Sequence, residues 1–350
     1  MNILEKKKIK NLHEFDNHHL VIRLDDPKVG LKSFVAFHKN LKILPSFGAT
    51  RFWKYKSKTE AIRDALRLSK LMSYKSALAG LKYGGAKATI IQNNKFPKAK
   101  ILEAYAEKLN GLHGKFITGT DVGLDLKDLR KMRKKSKYLV GLKSNPEKYT
   151  AVGLFFAVET ICRKMCINNN LKDLTFSIQG VGKVGHKFLR IIYNKVSKIY
   201  ISDTDNKRLK FIHKLFPKTI IIKPNKIQKQ NVDVYMPCAL SHALNKQTVK
   251  ELNCRAIIGS ANNQLKSKDI ADEIYRRGIF YAPDYVVNAG GLISVVDEYE
   301  NKNFNARRIE KKVKIIKKTL EEIIRRTIKE KRSPARVADE MAEKIISKMK

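Results

Sequence analysis

Thr175-Phe176-Ser177-Ile178-Gln179-Gly180-Val181-Gly182-Lys183-Val184-Gly185 joins a short apolar run to three glycines spaced G-x-G-x-x-G. The glycine spacing by itself is weak evidence. Its setting decides the reading: the apolar run predicts a strand, the residues after Gly182 predict a helix, and the next strand-like run, Ile199-Tyr200-Ile201-Ser202, ends at Asp203, about twenty residues on. Gly180 permits the tight turn, Gly182 lets backbone approach a pyrophosphate, and Gly185 allows close helix–strand packing. With Val181, Lys183 and Val184 they form a loop whose helix N-terminus offers unpaired N–H groups to phosphates. Asp203 is placed to accept hydrogen bonds from ribose hydroxyls. Its charge disfavours a 2′-phosphate, so NAD is the expected cofactor.

Outward from this motif, strands and helices alternate. Val232–Met236, Ala256–Ile258 and Ile279–Ala282 read as further strands, and Thr150–Cys166 as an apolar helix. The alternation predicts a doubly wound, largely parallel sheet. Upstream, His19–Leu24, Ser33–His38, Ala88–Ile91 and Lys115–Thr118 read as strands, Lys100–Leu112 as a helix, and Ser57-Lys58-Thr59-Glu60 as a capping box opening another. Two long helical patterns, Ala306–Lys331 and Pro334–Met349, end the chain. The expected architecture is α/β with two domains and a cleft between them. Residues 1–145 with 325–350 would form a substrate-binding and oligomerisation domain, and 146–324 a Rossmann-type NAD-binding domain.

Composition narrows the class. With 350 residues and 43% hydrophobic content, two packed cores are expected. No apolar stretch is long enough for a bilayer and none follows the N-terminus as a signal peptide would, so a cytoplasmic protein without membrane association is expected. The four cysteines lack neighbouring ligands for a metal and read as reduced thiols. The net charge of +40 is spread over nearly every segment and lacks the paired stacking aromatics of RNA modules. It reads as a lysine-biased surface, and no specific nucleic-acid partner is expected.

The remaining chemistry lies in five stretches: Gly48-Ala49-Thr50-Arg51; Met72-Ser73-Tyr74-Lys75 leading to Gly84-Gly85-Ala86-Lys87; Thr118-Gly119-Thr120-Asp121; Gly259-Ser260-Ala261-Asn262; and Ala282-Pro283-Asp284 to Gly290-Gly291. In their order and spacing, from about Val35 to the C-terminus, they resemble the Glu/Leu/Phe/Val dehydrogenase family. The resemblance implies NAD-dependent oxidative deamination of an amino acid to its 2-oxo acid by a homo-oligomer. It implies that Lys75 binds the substrate carboxylate, Lys87 is the base that activates water, and Asp121 shuttles protons with the substrate nitrogen. Gly48 and Ala49 would line the substrate pocket, Asn262 would contact nicotinamide or substrate amine, Thr150 the nicotinamide amide, and Ala239 the cofactor. Lysines this numerous are mostly solvated surface charges. Lys75 and Lys87 stand apart because their neighbours are apolar or glycine.

The chain departs from the family pattern at Ala86 and Ala49, where glycine is usual, in a shortened segment from Lys137 to Tyr149, and at Leu240-Ser241-His242, where Gly-Gly tends to follow. The side-chain pocket is expected to involve Phe47, Gly119, Leu292 and Val295. None is charged, which argues against glutamate. Gly119-Thr120-Asp121 and Leu292 are the phenylalanine-type spelling, whereas the whole-chain resemblance favours leucine. Leucine, with valine and isoleucine, is therefore the first expectation and phenylalanine the alternative. A protein that only binds NAD, or nucleic acid, on this fold is the other.

Overall fold

The computed structural model describes residues 2–39, 45–167, 170–239, 242–301 and 303–349. Leu240 and Ser241, one of the departures named above, lie outside these residues. Two compact units divide the chain, the first formed by Met1–Ser144, Val295–Phe304 and Ala342–Lys350, the second by Asn145–Ser294 and Asn305–Met341. Residues 325–341, expected with the first unit, belong to the second, and residues 295–304, expected with the second, belong to the first. In the second unit Arg326 and Arg332 both bind Glu340, and Arg336 and Ser333 both bind Asp272.

The first unit is built on a six-stranded mixed sheet, β1 (Asn2–Ile3), β2 (Leu20–Asp26), β3 (Leu31–Phe37), β4 (Ser46–Trp53), β5 (Gly84–Ile91) and β6 (Phe116–Thr120), in the order β1-β2-β3-β5-β4-β6. β5, β4 and β6 run parallel, and the rest pair antiparallel. Helices α1 (Lys58–Leu78), α2 (Lys98–Asn110) and α3 (Leu126–Arg133) accompany it, and residues 295–304 and 342–350 return to the same unit. β4 was not expected as a strand, because Gly48-Ala49 weakens the local β signal. It is inserted between β5 and β6 and so becomes central. The Ser57 hydroxyl caps α1 by accepting from the Glu60 N–H, but the Glu60 carboxylate accepts from the N–H of Lys56, not from that of Ser57, so the box is only half formed.

The second unit holds a six-stranded sheet, all parallel, made of β7 (Thr175–Gln179), β8 (Lys198–Ser202), β9 (Thr219–Ile221), β10 (Val232–Pro237), β11 (Cys254–Ile257) and β12 (Phe280–Tyr281). Its order, β12-β11-β10-β7-β8-β9, reverses direction between β7 and β10. This is the doubly wound topology expected, with its ligand crevice at the carboxyl ends of the strands flanking the reversal. Helices α4 (Pro146–Lys164), α5 (Lys183–Ile192), α6 (Asn206–Leu215), α7 (Lys246–Glu251), α8 (Lys268–Arg276) and α9 (Asp284–Val287) accompany it. α10 (Gly290–Asn301) follows, then α11 (Ala306–Val313), α12 (Ile315–Glu330) and α13 (Pro334–Lys348). The single helix expected over Ala306–Lys331 is interrupted at Lys314.

Candidate active site

Strand parity builds the first half of the site. Side chains alternate faces along a strand, so β4 sends Phe47, Ala49 and Arg51 one way and Gly48, Thr50 and Phe52 the other. On the second face Thr50 hydrogen-bonds Tyr105 of α2 and Thr118 of β6, both at 2.8 Å. The first face is covered by α1: Thr89 of β5 donates to the Ala61 carbonyl, and a Cβ on Gly85 would lie 2.0 Å from the Ser73 nitrogen. Lys87 shares this face with Gly85 and Thr89. Register pairs Ala49 with Gly119, so Lys87, Ala49 and Gly119 form one row across three strands. Lys75 is half-buried near the C-terminal end of α1.

Asp121 follows β6 directly. Its Oδ2 lies 2.6 Å from Lys87 Nζ, and only 6% of the Lys87 side chain and 12% of that of Asp121 meet water. Burial strips water from the Lys87 ammonium and lowers its pKa. Asp121 opposes this and the charge of Arg51 adds to it. Burial by itself would raise the Asp121 pKa, but Lys87 and Arg51 together outweigh it and hold the carboxyl far below the usual carboxylate range. The pair is therefore a buried carboxylate beside an amine that loses its proton more readily than an ordinary lysine. That combination suits proton transfer near neutrality.

Of the two alanines that replace family glycines, Ala86 is fully buried in the core with Phe37, Ala88 and Phe116, on the face away from Lys87. Its methyl adds to packing and leaves the site unchanged. Ala49 stands in the row with Lys87 and narrows the space there by one methyl. Gly48 is needed for strand pairing, since a Cβ there would sit 1.9 Å from the Ala86 carbonyl oxygen. Phe47, one row below Ala49, packs on Tyr83 and Tyr299 with ring centroids 4.7 Å and 5.2 Å away. A Cβ on Gly119 would press to 3.1 Å from the Val140 carbonyl, so that glycine serves backbone packing as well as space. Val295 is half-buried in the first unit, and Leu292, 7% exposed, belongs to the second.

The second unit meets the geometric demands of a dinucleotide. Gly180 adopts φ +98°, and a Cβ there would lie 2.8 Å from that of Ala239, which follows β10 across the topological switch. A Cβ on Gly185 would lie 2.1 Å from the Gly180 oxygen. Gly182 faces open space, with nothing within 4 Å of its Cβ position, and it caps α5 without any side-chain hydrogen bond. The first amides of α5, from Lys183 and Val184, therefore open onto a space where an anion fits. Asp203 Oδ2 accepts the Val181 N–H at 3.0 Å, which ties the glycine loop to the end of β8. Gly180, Gly182, Asp203, Thr204, Arg208 and Ala239 line a cavity of about 770 Å³. Thr150 donates to the Pro146 carbonyl at 2.9 Å and abuts Gly291. Asn262 Oδ1 accepts from Asn288 Nδ2 at 3.0 Å.

Two contributors were not singled out from the sequence. Arg51 was quoted within its motif without a role, yet its Nε donates to Asp121 Oδ2 at 2.9 Å. Asn288 clamps the Asn262 loop through Ser260 O as well. The available signal for Arg51 is a cation next to the large apolar pair Phe52-Trp53, a setting in which a buried cation demands an acid as partner.

Residues 18–138 match a family model described as Glu/Leu/Phe/Val dehydrogenase, dimerisation domain, and residues 196–349 match one described as Glutamate/Leucine/Phenylalanine/Valine dehydrogenase. The chain is 33% identical to leucine dehydrogenase of Bacillus subtilis (strain 168), over 97% of this chain and 94% of that protein. It is 35% identical to phenylalanine dehydrogenase of Lysinibacillus sphaericus, over 88% of this chain and 83% of that one. The crystal structure of L-tryptophan dehydrogenase from Nostoc punctiforme superimposes with a TM-score of 0.82 at 31% identity, covering 99% of each chain. A buried lysine–aspartate pair in one unit, a glycine loop at the switch point of the other, and this degree of likeness along almost the whole sequence place the chain in the Glu/Leu/Phe/Val dehydrogenase family of amino-acid dehydrogenases.

Proposed function

We propose that the protein oxidatively deaminates an apolar L-amino acid to its 2-oxo acid, ammonium and NADH, with leucine, valine and isoleucine as first substrates and phenylalanine next. The observation that carries this reading is the buried Lys87–Asp121 pair at 2.6 Å, in a chain of this family. The cofactor is a nicotinamide dinucleotide. When bound, it takes hydride from the substrate α-carbon. The Gly180–Gly185 loop and the α5 N-terminus would hold its pyrophosphate, Asp203 its ribose, Thr150 and Asn262 its nicotinamide end, and Ala239 the wall beside Gly180. The carboxylate of Asp203, which accepts the Val181 and Asp205 N–H groups and pairs with Arg208 at 3.4 Å, would favour NAD over NADP.

Lys75 would bind the substrate carboxylate. Asp121 would accept a proton from the substrate ammonium, leaving a neutral amine whose lone pair can form the C=N bond when the α-carbon gives up hydride. The substrate then carries an iminium, and Lys87 in its neutral form would take a proton from water as the oxygen attacks that carbon. Asp121 would return its proton to the nitrogen; the C–N bond then breaks as the carbonyl forms, and the hydroxyl proton passes to the departing ammonia to give ammonium and the 2-oxo acid. The attack by water requires Lys87 to be neutral at that step and to shed the proton it gains before the next turnover, while still buried.

In the first unit the side-chain pocket would be formed by Phe47, Gly119 and Val295 beside Gly48 and Ala49. Leucine dehydrogenase relatives matched over 94–97% of this chain support leucine as the first substrate. Phenylalanine and tryptophan dehydrogenases of similar identity support a larger pocket. Homo-oligomer formation through the first unit is supported by the match to a dimerisation domain. Among the described residues no helix is long and apolar enough to cross a membrane.

The test is NADH formation with leucine, isoleucine, valine, phenylalanine, tryptophan and glutamate, with Lys87→Ala as control. Leucine giving the largest kcat/KM, lost in the control, supports the reading. A large aromatic preference overturns the leucine assignment, and no turnover on any of the six overturns the reaction.

A further inference from the structure

Asp121 Oδ2 is shared by two cations, Lys87 Nζ at 2.6 Å and Arg51 Nε at 2.9 Å. The far side of the same guanidinium donates from Nη1 to Asp64 Oδ2 of α1, at 2.9 Å. Asp64 in turn accepts from Tyr55 Oη at 2.8 Å and from Arg67 Nη2 at 2.6 Å. The side chains of Arg51 and Asp64 are each only 13% exposed. The charges thus alternate along one sheet face, Lys87, Asp121, Arg51, Asp64 and Arg67, and Lys75 lies on the Asp64 stripe of α1 about three turns further on.

This chain of charges meets a specific need of the proposed chemistry. A base must be neutral to act. When Lys87 loses its proton, a carboxylate buried beside it would lose its counter-charge and draw the proton back. A guanidinium does not deprotonate in proteins, so its charge stays through the cycle. We infer that Arg51 is a positioning residue for the reaction, a permanent counter-charge that holds Asp121 ionised until it takes the substrate's proton and that favours the neutral form of Lys87, with Asp64 setting how much of that charge Lys87 experiences. The inference rests on the proposed roles of Lys87 and Asp121.

The experiment reads the proton affinity of Lys87 directly, by NMR of isotope-labelled lysine assigned by difference against Lys87→Ala, together with the pH profile of kcat/KM. Loss of a nearby cation favours the ammonium, so Arg51→Gln should move the Lys87 titration and the acid limb towards alkaline pH by about one unit, roughly a tenfold loss of rate at a fixed pH below the limb. Loss of a nearby anion disfavours it, so Asp64→Asn should move both towards acid pH. Arg51→Lys keeps the charge and should leave the limb near that of the parent while lowering kcat. A merely structural tether predicts reduced kcat with unmoved titrations in all three, which would overturn the inference, as would shifts of one common direction. Should Arg51→Gln fail to fold, the acid shift expected of Asp64→Asn and the unmoved limb expected of the charge-retaining Arg51→Lys still decide it. Turnover persisting in Lys87→Ala would instead defeat the base assignment itself. The NMR titration needs no substrate, so the two failures are distinguishable.

Discussion

Lys87 Nζ and Asp121 Oδ2 lie 2.6 Å apart in the first unit, one on a central strand and the other just past the end of β6, and both are nearly out of water. Removing the amine should cost about 10²–10⁴-fold in kcat. Because burial lowers the Lys87 pKa and the neutral form is the active one, kcat/KM should rise with pH and level off below the range of an ordinary lysine. Stopped-flow hydride transfer in Lys87→Ala and Lys87→Met, with a pH series on the parent, checks both points. A limb at the ordinary lysine value would contradict the electrostatics.

Gly182 has open space where its side chain would be. Gly182→Val should therefore fold with an unchanged melting temperature yet weaken dinucleotide binding at least tenfold, because the branched side chain would occupy the phosphate position. Titration of NADH fluorescence is the measurement. By contrast Gly185→Val would collide with the Gly180 carbonyl and should be destabilised as well.

His18 should make the fold acid-sensitive. Its ring is buried and neutral in its hydrogen bonding: Nδ1 accepts from the Asp16 N–H at 3.1 Å, and Nε2 faces Leu66 O at 2.9 Å and Ser69 Oγ at 3.1 Å. Burial, with His38 adding to it, pulls its pKa from 6.5 down to about 4. The unfolded chain binds this proton first, so stability is full above about pH 6.5 and is lost as pH falls towards about 4. From about pH 7.5 to about pH 5 the loss should be about 2 kcal/mol. Urea midpoints should fall over that range, and fall less in His18→Gln.

Glu298 anchors the last residues of the first unit before the chain leaves it. Its Oε2 accepts the N–H groups of Gly141, Lys143 and Ser144 at 3.2, 3.2 and 3.0 Å. Glu298→Ala leaves three amides without that acceptor and should cost about 1–3 kcal/mol locally. Hydrogen exchange over 141–144 should accelerate about tenfold or more, with exchange in β7 and β10 unchanged.

Much of this protein was legible along the chain, for a physical reason. Strand, glycine turn and helix N-terminus around Gly180 are local features, set by dihedral freedom and by backbone groups a few residues apart, so the dinucleotide loop and the all-parallel sheet follow from sequence spacing. Lys75, Lys87 and Asp121 were also picked out in advance, but only through a resemblance carried by motifs.

Tertiary structure decided what depends on neighbours distant in sequence. Gly48-Ala49-Thr50-Arg51 lacks local strand propensity, and β4 exists because β5 and β6 pair with it on both sides. Parity across that sheet then sends the Ala86 methyl into the core and Ala49 beside Lys87, a distinction that spelling alone does not make. The lowered proton affinity of Lys87 arises from burial and from Arg51, 36 positions earlier in the chain. Composition determined that two cores would form. Packing decided which of this chain's many lysines is stripped of water.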